Sequence, residues 1–299
     1  MIRIANAPCS WGVLEFGLEG STADYSQVLD EIRETGYAGT ELGDWGYMPT
    51  DPGQLKDELQ RRDLEMVGAF VPVGLRDRKA HAAGIEQGIR TARLIAQAGF
   101  SSAKMVLSDN NGTMPSRTGH AGRVTPDLQL TREEWKVFVR GAADFAKQVR
   151  DESGLQTVFH HHCGGFVETP GEVEKFLSDT PADLIGLVLD MGHYRFGGGY
   201  PEAAIEHFWD RIWHVHFKDC SESIAARCRA NGSDYFAAVR EGVFCELGKG
   251  EVDFPRIMQR LVERGYDGWI VVEQDVLPGM GSPKTCAARN REFIKGLGL

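Results

Sequence analysis

The chain has 299 residues, 42% of them apolar and 25% charged, with a formal charge of −10. Such a balance belongs to an ordinary globular protein and excludes disordered and fibrous classes. The acidic surplus, with Lys and Arg dispersed, excludes a nucleic-acid partner, which would need a basic stripe to displace counterions.

No run of about 18 apolar residues is present, so no membrane partner is expected. The N-terminal Met-Ile-Arg-Ile-Ala-Asn enters a strand without a signal-peptide pattern. Six cysteines (Cys9, Cys163, Cys220, Cys228, Cys245, Cys286) lie scattered with no CxxC pair. A disulfide framework is not expected of them, and a reducing cytoplasm is the compartment they fit.

In chain order, eight short β-rich segments alternate with amphipathic stretches. The strands are predicted at Ile2–Ser10, Gly39–Gly43, Glu65–Val73, Ala103–Ser108, Thr157–His161, Ile185–Met191, Ile212–Lys218 and Trp269–Gln274. Between and after them, helical periodicity covers Tyr25–Thr35, Pro52–Arg62, Ala82–Ala98, Thr131–Arg150, Pro170–Ser178, Pro201–Phe208, Phe254–Arg264 and Ala287–Leu297. Thr131 with Glu134 reads as a capping box, and Thr169-Pro170 as an N-cap followed by proline in the first turn. Gly36, Gly99 and Gly265 follow helices as C-caps do.

Eight βα units with apolar strands predict an α/β fold, a closed (β/α)8 TIM barrel forming a single domain over residues 1–299. Two connections exceed simple βα turns: Asp109 to Leu130, and His216 to about Asp253 with a short helix near Tyr235–Arg240. Both follow strand C-termini and should overhang the barrel mouth.

Ionisable residues gather at the ends of strands five to eight. Strand five ends in His160-His161-His162, with Glu168 shortly after. Strand six ends in Asp190-Met191-Gly192-His193, strand seven carries His214, His216, Lys218 and Asp219, and strand eight ends in Glu273-Gln274-Asp275. Alternation puts His160 with His162, His214 with His216, and Glu273 with Asp275 on shared faces. An isolated histidine is ordinarily a hydrogen-bonded packing residue. Acids and imidazoles at four consecutive strand ends are different, because burying that many charges without a cation is costly. The mixed donor set suits Mn²⁺, Co²⁺, Fe²⁺ or Zn²⁺, whereas Mg²⁺ prefers oxygen ligands alone. Nearer the other strand ends, Glu41 and Trp45 are pocket-wall candidates.

The segments Val188-Leu-Asp-Met-Gly-His193, Trp213-His-Val-His-Phe-Lys-Asp219 and Val271-Val-Glu-Gln-Asp275 resemble the xylose isomerase-like TIM barrels, the sugar-phosphate isomerase/epimerase superfamily. The similarity spans nearly the whole chain. Within the superfamily, the loop Arg117-Thr-Gly-His-Ala-Gly-Arg123 and the ending Glu273-Gln-Asp-Val-Leu-Pro278 resemble the inosose dehydratase-like branch.

The resemblance implies a divalent metal ion, Mn²⁺ or Co²⁺ first and Zn²⁺, Fe²⁺ or Mg²⁺ as alternatives, held by Asp190, His216 and Glu273. The family's fourth ligand is a strand-five Glu, but His160 stands there, so Glu168 is preferred and His160 is the alternative ligand. His162, His193, Lys218 and Glu273 are the implied catalytic residues. Glu41, Trp45, His160 and Arg123 are the implied contacts to a small polyhydroxylated ketone, and a homo-oligomer is compatible.

Such a metal acidifies the carbon of an α-hydroxyketone by stabilising its enediolate. The branch resemblance implies dehydration of a 2-keto-myo-inositol-like inosose by a lyase. Ketose 3-epimerisation or sugar isomerisation is the alternative, and a non-catalytic sugar-binding barrel is the reading from another class.

Overall fold

Strands β1 (Arg3–Asn6), β2 (Gly39–Glu41), β3 (Glu65–Val73), β4 (Lys104–Asp109), β5 (Gln156–His160), β6 (Ile185–Asp190), β7 (Ile212–Phe217) and β10 (Trp269–Val272) close a parallel barrel in the computed structural model. The structure describes residues 1–13 and 23–299. The two-stranded hairpin β8 (Asp219–Cys220) and β9 (Phe244–Cys245) stands outside the barrel. Neighbours around the ring follow chain order once that hairpin is set aside, which is the expected (β/α)8 arrangement.

The crossover helices are α1 (Tyr25–Glu34), α2 (Pro52–Gln60), α3 (His81–Gln97), α5 (Arg132–Ser153), α6 (Pro170–Asp179), α8 (Pro201–Phe208), α11 (Phe254–Glu263) and α12 (Pro283–Gly296). Both expected caps are present. Thr131 and Glu134 form a reciprocal capping box at α5, and Thr169 does the same with Glu172 at α6, where Pro170 opens the helix. The first strand is shorter than its apolar run because Pro8, lacking an N–H, starts a single 3₁₀ turn over Pro8–Trp11.

Four short helices fill the connections: α4 (Pro115–Thr118), α7 (Met191–Phe196), α9 (Glu222–Asn231) and α10 (Tyr235–Arg240). Only α10 was expected. Pro115 opens α4, Asp190 caps α7, and Ser221 and Gly232 bound α9. Among the described residues no helix is long and apolar enough to cross a membrane.

A large apolar cluster fills the space between strands and helices, with Phe138, Phe145, Phe159 and Phe176 at its centre. Inside the barrel the apolar filling is smaller: Ala5, Val67, Trp269 and Val271 on one side, Val106, Val158 and Val188 on the other. Because side chains alternate along a strand, Val158, Val188, His214 and Val271 lie directly beneath His160, Asp190, His216 and Glu273. The barrel is thus packed below and polar above. His214 is the polar member of an otherwise valine layer.

Both long connections are pinned by buried ionic groups. In the connection after β4, Arg117 donates through both terminal nitrogens to Glu172 of α6, at 2.8 and 2.9 Å. After β7, the Asp219 carboxylate accepts four backbone N–H groups, those of Cys220, Gly248, Gly250 and Val252. A Cβ on Gly250 would fall 2.3 Å from Asp219 Oδ1, so the loop closes tightly around the acid. Asp219→Ala strips these donors of their acceptor and should cost roughly 2–4 kcal/mol in urea unfolding. Removing the exposed cap of α11 in Asp253→Ala should cost about 1 kcal/mol; equal losses would refute the pinning role.

Candidate functional site

Four strand ends bring four donors together at the C-terminal end of the barrel. Asp190 of β6 pairs with His216 of β7, and Val271 of β10 pairs with the same histidine. Glu273 follows two residues later and is fastened by its N–H to the Phe217 carbonyl at 3.0 Å. His160 ends β5 opposite Val188. Ligand atoms of His160, Asp190, His216 and Glu273 all lie within 4.8 Å of one another.

The donors face one another without satisfying one another. His216 Nδ1 is 3.3 Å from Glu273 Oε1 and 3.8 Å from Asp190 Oδ2, and His160 Nε2 is 3.8 Å from the same Asp190 oxygen. Asp190 Oδ2 and His216 Nδ1 are buried with no hydrogen-bond partner among the described residues. The other Asp190 oxygen accepts the His193 N–H at 2.7 Å, which holds the carboxylate in place. Orphaned buried acceptors aimed at a common point are what a cation site requires, and the two-imidazole, two-carboxylate set suits a first-row divalent ion.

Charge balance points the same way. Glu41, Asp190, Glu273 and Asp275 are buried carboxylates grouped with a single lysine, Lys218. Lys218 Nζ lies 3.2 Å from Glu273 Oε2 and 3.4 Å from Asp275 Oδ2. Burial works against its charge, but Asp275, Glu273 and Asp190 outweigh burial and hold its pKa well above the usual lysine value. Burial also pushes Glu273 up, yet His216 and Lys218 keep it well below the ordinary carboxylate range. These carboxylates favour the charged form of the lysine.

The cavity above the donors is lined by His160, His162, Lys218, Tyr235, Glu273 and Asp275, with Glu41 and Phe70 on the far side. His162 Nδ1 donates to the Cys163 carbonyl at 2.6 Å, so its Nε2 is the nitrogen without a proton. Burial, then His160 and Lys218, push its pKa well below the usual value and keep the ring neutral.

The structure does not bring every expected residue to this cavity. Glu168 lies outside the donor cluster: its two oxygens accept the N–H groups of Gly122 at 2.6 Å and Gly164 at 2.8 Å, so His160 holds the strand-five position. His193 is fully buried behind the wall, its Nδ1 accepting the Cys163 N–H at 3.3 Å and its ring packed 4.6 Å from Phe244. Trp45 lies on the outer side of the barrel beneath the Arg90 guanidinium, in a groove between α3 and α5. Arg123 donates to the carbonyls of Ser233, at 3.0 Å, and Gly119, tying the two long connections together instead of reaching the cavity.

Two wall residues were not singled out from sequence. Asp275 shares the Glu273 face, a signal that was available. Tyr235 reaches the wall through α10 on the long connection, and nothing in strand periodicity marks it.

The family model described as xylose isomerase-like TIM barrel matches residues 29–297. The rhizopine catabolism protein MocC of Rhizobium meliloti is 34% identical over 293 residues, covering 98% of this chain and 87% of that one. An inosose dehydratase of Geobacillus kaustophilus is 31% identical over 297 residues, covering 99% and 94%. Among solved structures, the probable 3-DHS dehydratase AsbF from Bacillus anthracis shares the fold, with a TM-score of 0.71, 15% identity and 99% of each chain covered.

Glu168 also yields a pH test. Burial raises its pKa from the ordinary 4.5 to about 7, against the lowering effect of the Gly122 and Gly164 N–H groups. Between those values the folded chain keeps a proton that the unfolded chain loses. Its contribution to stability is therefore complete below the unfolded value and is lost as pH rises through about 7. Between pH 4.5 and 8 the wild type should lose roughly 3 kcal/mol more stability in urea titrations than Glu168→Gln, whose amide does not titrate. Parallel pH profiles would contradict the buried acid.

Proposed function

Because the chain belongs to the xylose isomerase-like TIM barrel family, we propose that this enzyme is a metal-dependent lyase that dehydrates a cyclic polyhydroxylated ketone of the 2-keto-myo-inositol type through an enediolate. The observation that carries the reading is the convergence of His160, Asp190, His216 and Glu273 with Asp190 Oδ2 and His216 Nδ1 unpartnered. The inosose dehydratase relative, matched over nearly its full length, supports the reaction class.

These four residues would hold the ion, with Mn²⁺ or Co²⁺ the preferred metals for their donor set. When bound, a divalent ion supplies Lewis-acid stabilisation of the negative charge that develops on the ketone and hydroxyl oxygens.

The chain's own groups account for the proton movements. His162, neutral and held as its Nδ1–H tautomer, presents Nε2 as the base for the proton on the carbon beside the carbonyl. The imidazolium so formed returns that proton to the departing β-hydroxyl, which leaves as water. Lys218, kept charged by Glu273 and Asp275, places a positive charge beside the oxygen that becomes negative. Asp275 and Tyr235 add polar groups to the wall against a hydroxylated ring.

Purified protein loaded with Mn²⁺ or Co²⁺ and given 2-keto-myo-inositol should develop the ultraviolet absorbance of a conjugated dione, and EDTA should abolish it until metal is restored. Absence of new absorbance with either ion refutes the dehydration. Solvent deuterium entering a ketose beside its carbonyl would instead indicate epimerisation, and ligand binding with no exchange a non-catalytic barrel. His162→Ala should lower kcat by about 10²–10⁴-fold while the bound metal per chain stays constant; an unchanged kcat removes His162 from the proton step.

A further inference from the structure

His216 uses its two ring nitrogens in opposite directions. Nδ1 faces Asp190 and Glu273, while Nε2 donates to Glu41 Oε1 at 3.1 Å. The same Glu41 oxygen accepts His214 Nε2 at 3.0 Å, so one buried carboxylate oxygen gathers two imidazole N–H groups. This explains why a histidine occupies the layer that Val158, Val188 and Val271 otherwise fill.

The backbone around Glu41 is shaped for this contact. Register between β2 and β3 slips by one residue between Thr40 and Glu41, so Glu41 pairs with Gly68 and not with Val67. Such an irregularity re-aims a side chain at a strand end. A Cβ on Gly68 would stand 2.9 Å from Glu41 Oε1, so only glycine leaves the slot the carboxylate occupies. Slip, glycine and the His214 donor are three separate features that converge on one carboxylate position.

We propose that Glu41 is the positioning residue that fixes His216 as its Nε2–H tautomer and thereby turns Nδ1, with its lone pair, toward the metal position. A neutral imidazole carries one proton, so a strong acceptor at Nε2 decides which nitrogen remains a donor to a cation. A carboxylate behind a ligating histidine also raises the basicity of the ligating nitrogen and orients the ring. Glu41, which also lines the cavity, thus acts on the metal through His216. The inference rests on the metal reading of the four-donor cluster.

Isothermal titration of Co²⁺ into metal-free wild type and Glu41→Ala tests it, with circular dichroism as the control for folding. Wild type should bind one ion per chain, and Glu41→Ala should bind it about 10–100-fold more weakly. Glu41→Gln, which keeps an uncharged acceptor in the slot, should fall between them. A variant affinity within twofold of wild type overturns the inference while leaving the metal reading intact. Two ions per wild-type chain, one of them lost in Glu41→Ala, would make Glu41 a direct ligand and also overturn it. If wild type binds no ion, both readings fall. Should Glu41→Ala not fold, long-range ¹⁵N–¹H spectra of the Zn²⁺-loaded wild type decide: a proton on His216 Nε2 supports the assignment, and one on Nδ1 refutes it.

Discussion

Burial of four carboxylates away from water is the constraint around which this barrel mouth is organised. Glu41, Asp190, Glu273 and Asp275 are withdrawn from water within one ring of strand ends. Removing such ions from solvent costs several kcal/mol each unless compensating charge is close. Lys218 supplies one charge, His214 and His216 supply N–H donors to Glu41, and backbone N–H groups take up part of Asp190. The carboxylate oxygen left without a hydrogen-bond partner is Asp190 Oδ2, which faces His160 and His216.

The rest of the architecture keeps this arrangement stiff and roofed. The valine layer beneath the donors gives them a packed floor, and strand register sets their heights. Above them, the two long connections are held by Arg117 with Glu172, by Glu168 with two backbone amides, and by Asp219 with four. Several ionisable residues at the mouth therefore hold the loops in order. Arg123, which crosses between the connections, belongs with these. Tyr235 reaches the cavity wall because that loop framework carries α10 inward.

A division of labour among the histidines follows from their hydrogen bonds. His161 Nε2 accepts the Asp190 N–H at 3.2 Å and so supports the backbone of a donor strand. His162 lines the cavity, His193 packs behind it, and His160 and His216 complete the donor cluster. Five residues of one type thus hold different tasks, set by which ring nitrogen is engaged and by what.

The sequence by itself determined the repeating βα pattern, because apolar strands and capped amphipathic helices announce themselves through local periodicity and local hydrogen bonds. It also marked the strand ends where acids and imidazoles recur, since alternation along a strand is a local property. The resemblance of the strand-end segments to a known family nominated Asp190, His216 and Glu273 together, and the fold gathers them with His160 at one point. Only the tertiary structure shows that His160 joins the cluster and Glu168 does not. The choice depends on whether a side chain finds backbone donors, here Gly122 and Gly164, which lie 46 and 4 residues away in the chain. The same holds for Trp45, which turns outward to Arg90, for His193, which is enclosed, and for Glu41, whose direction is set by a one-residue register slip against β3. Contacts between distant segments have no local signature, so residue type and spacing could nominate these side chains but not aim them.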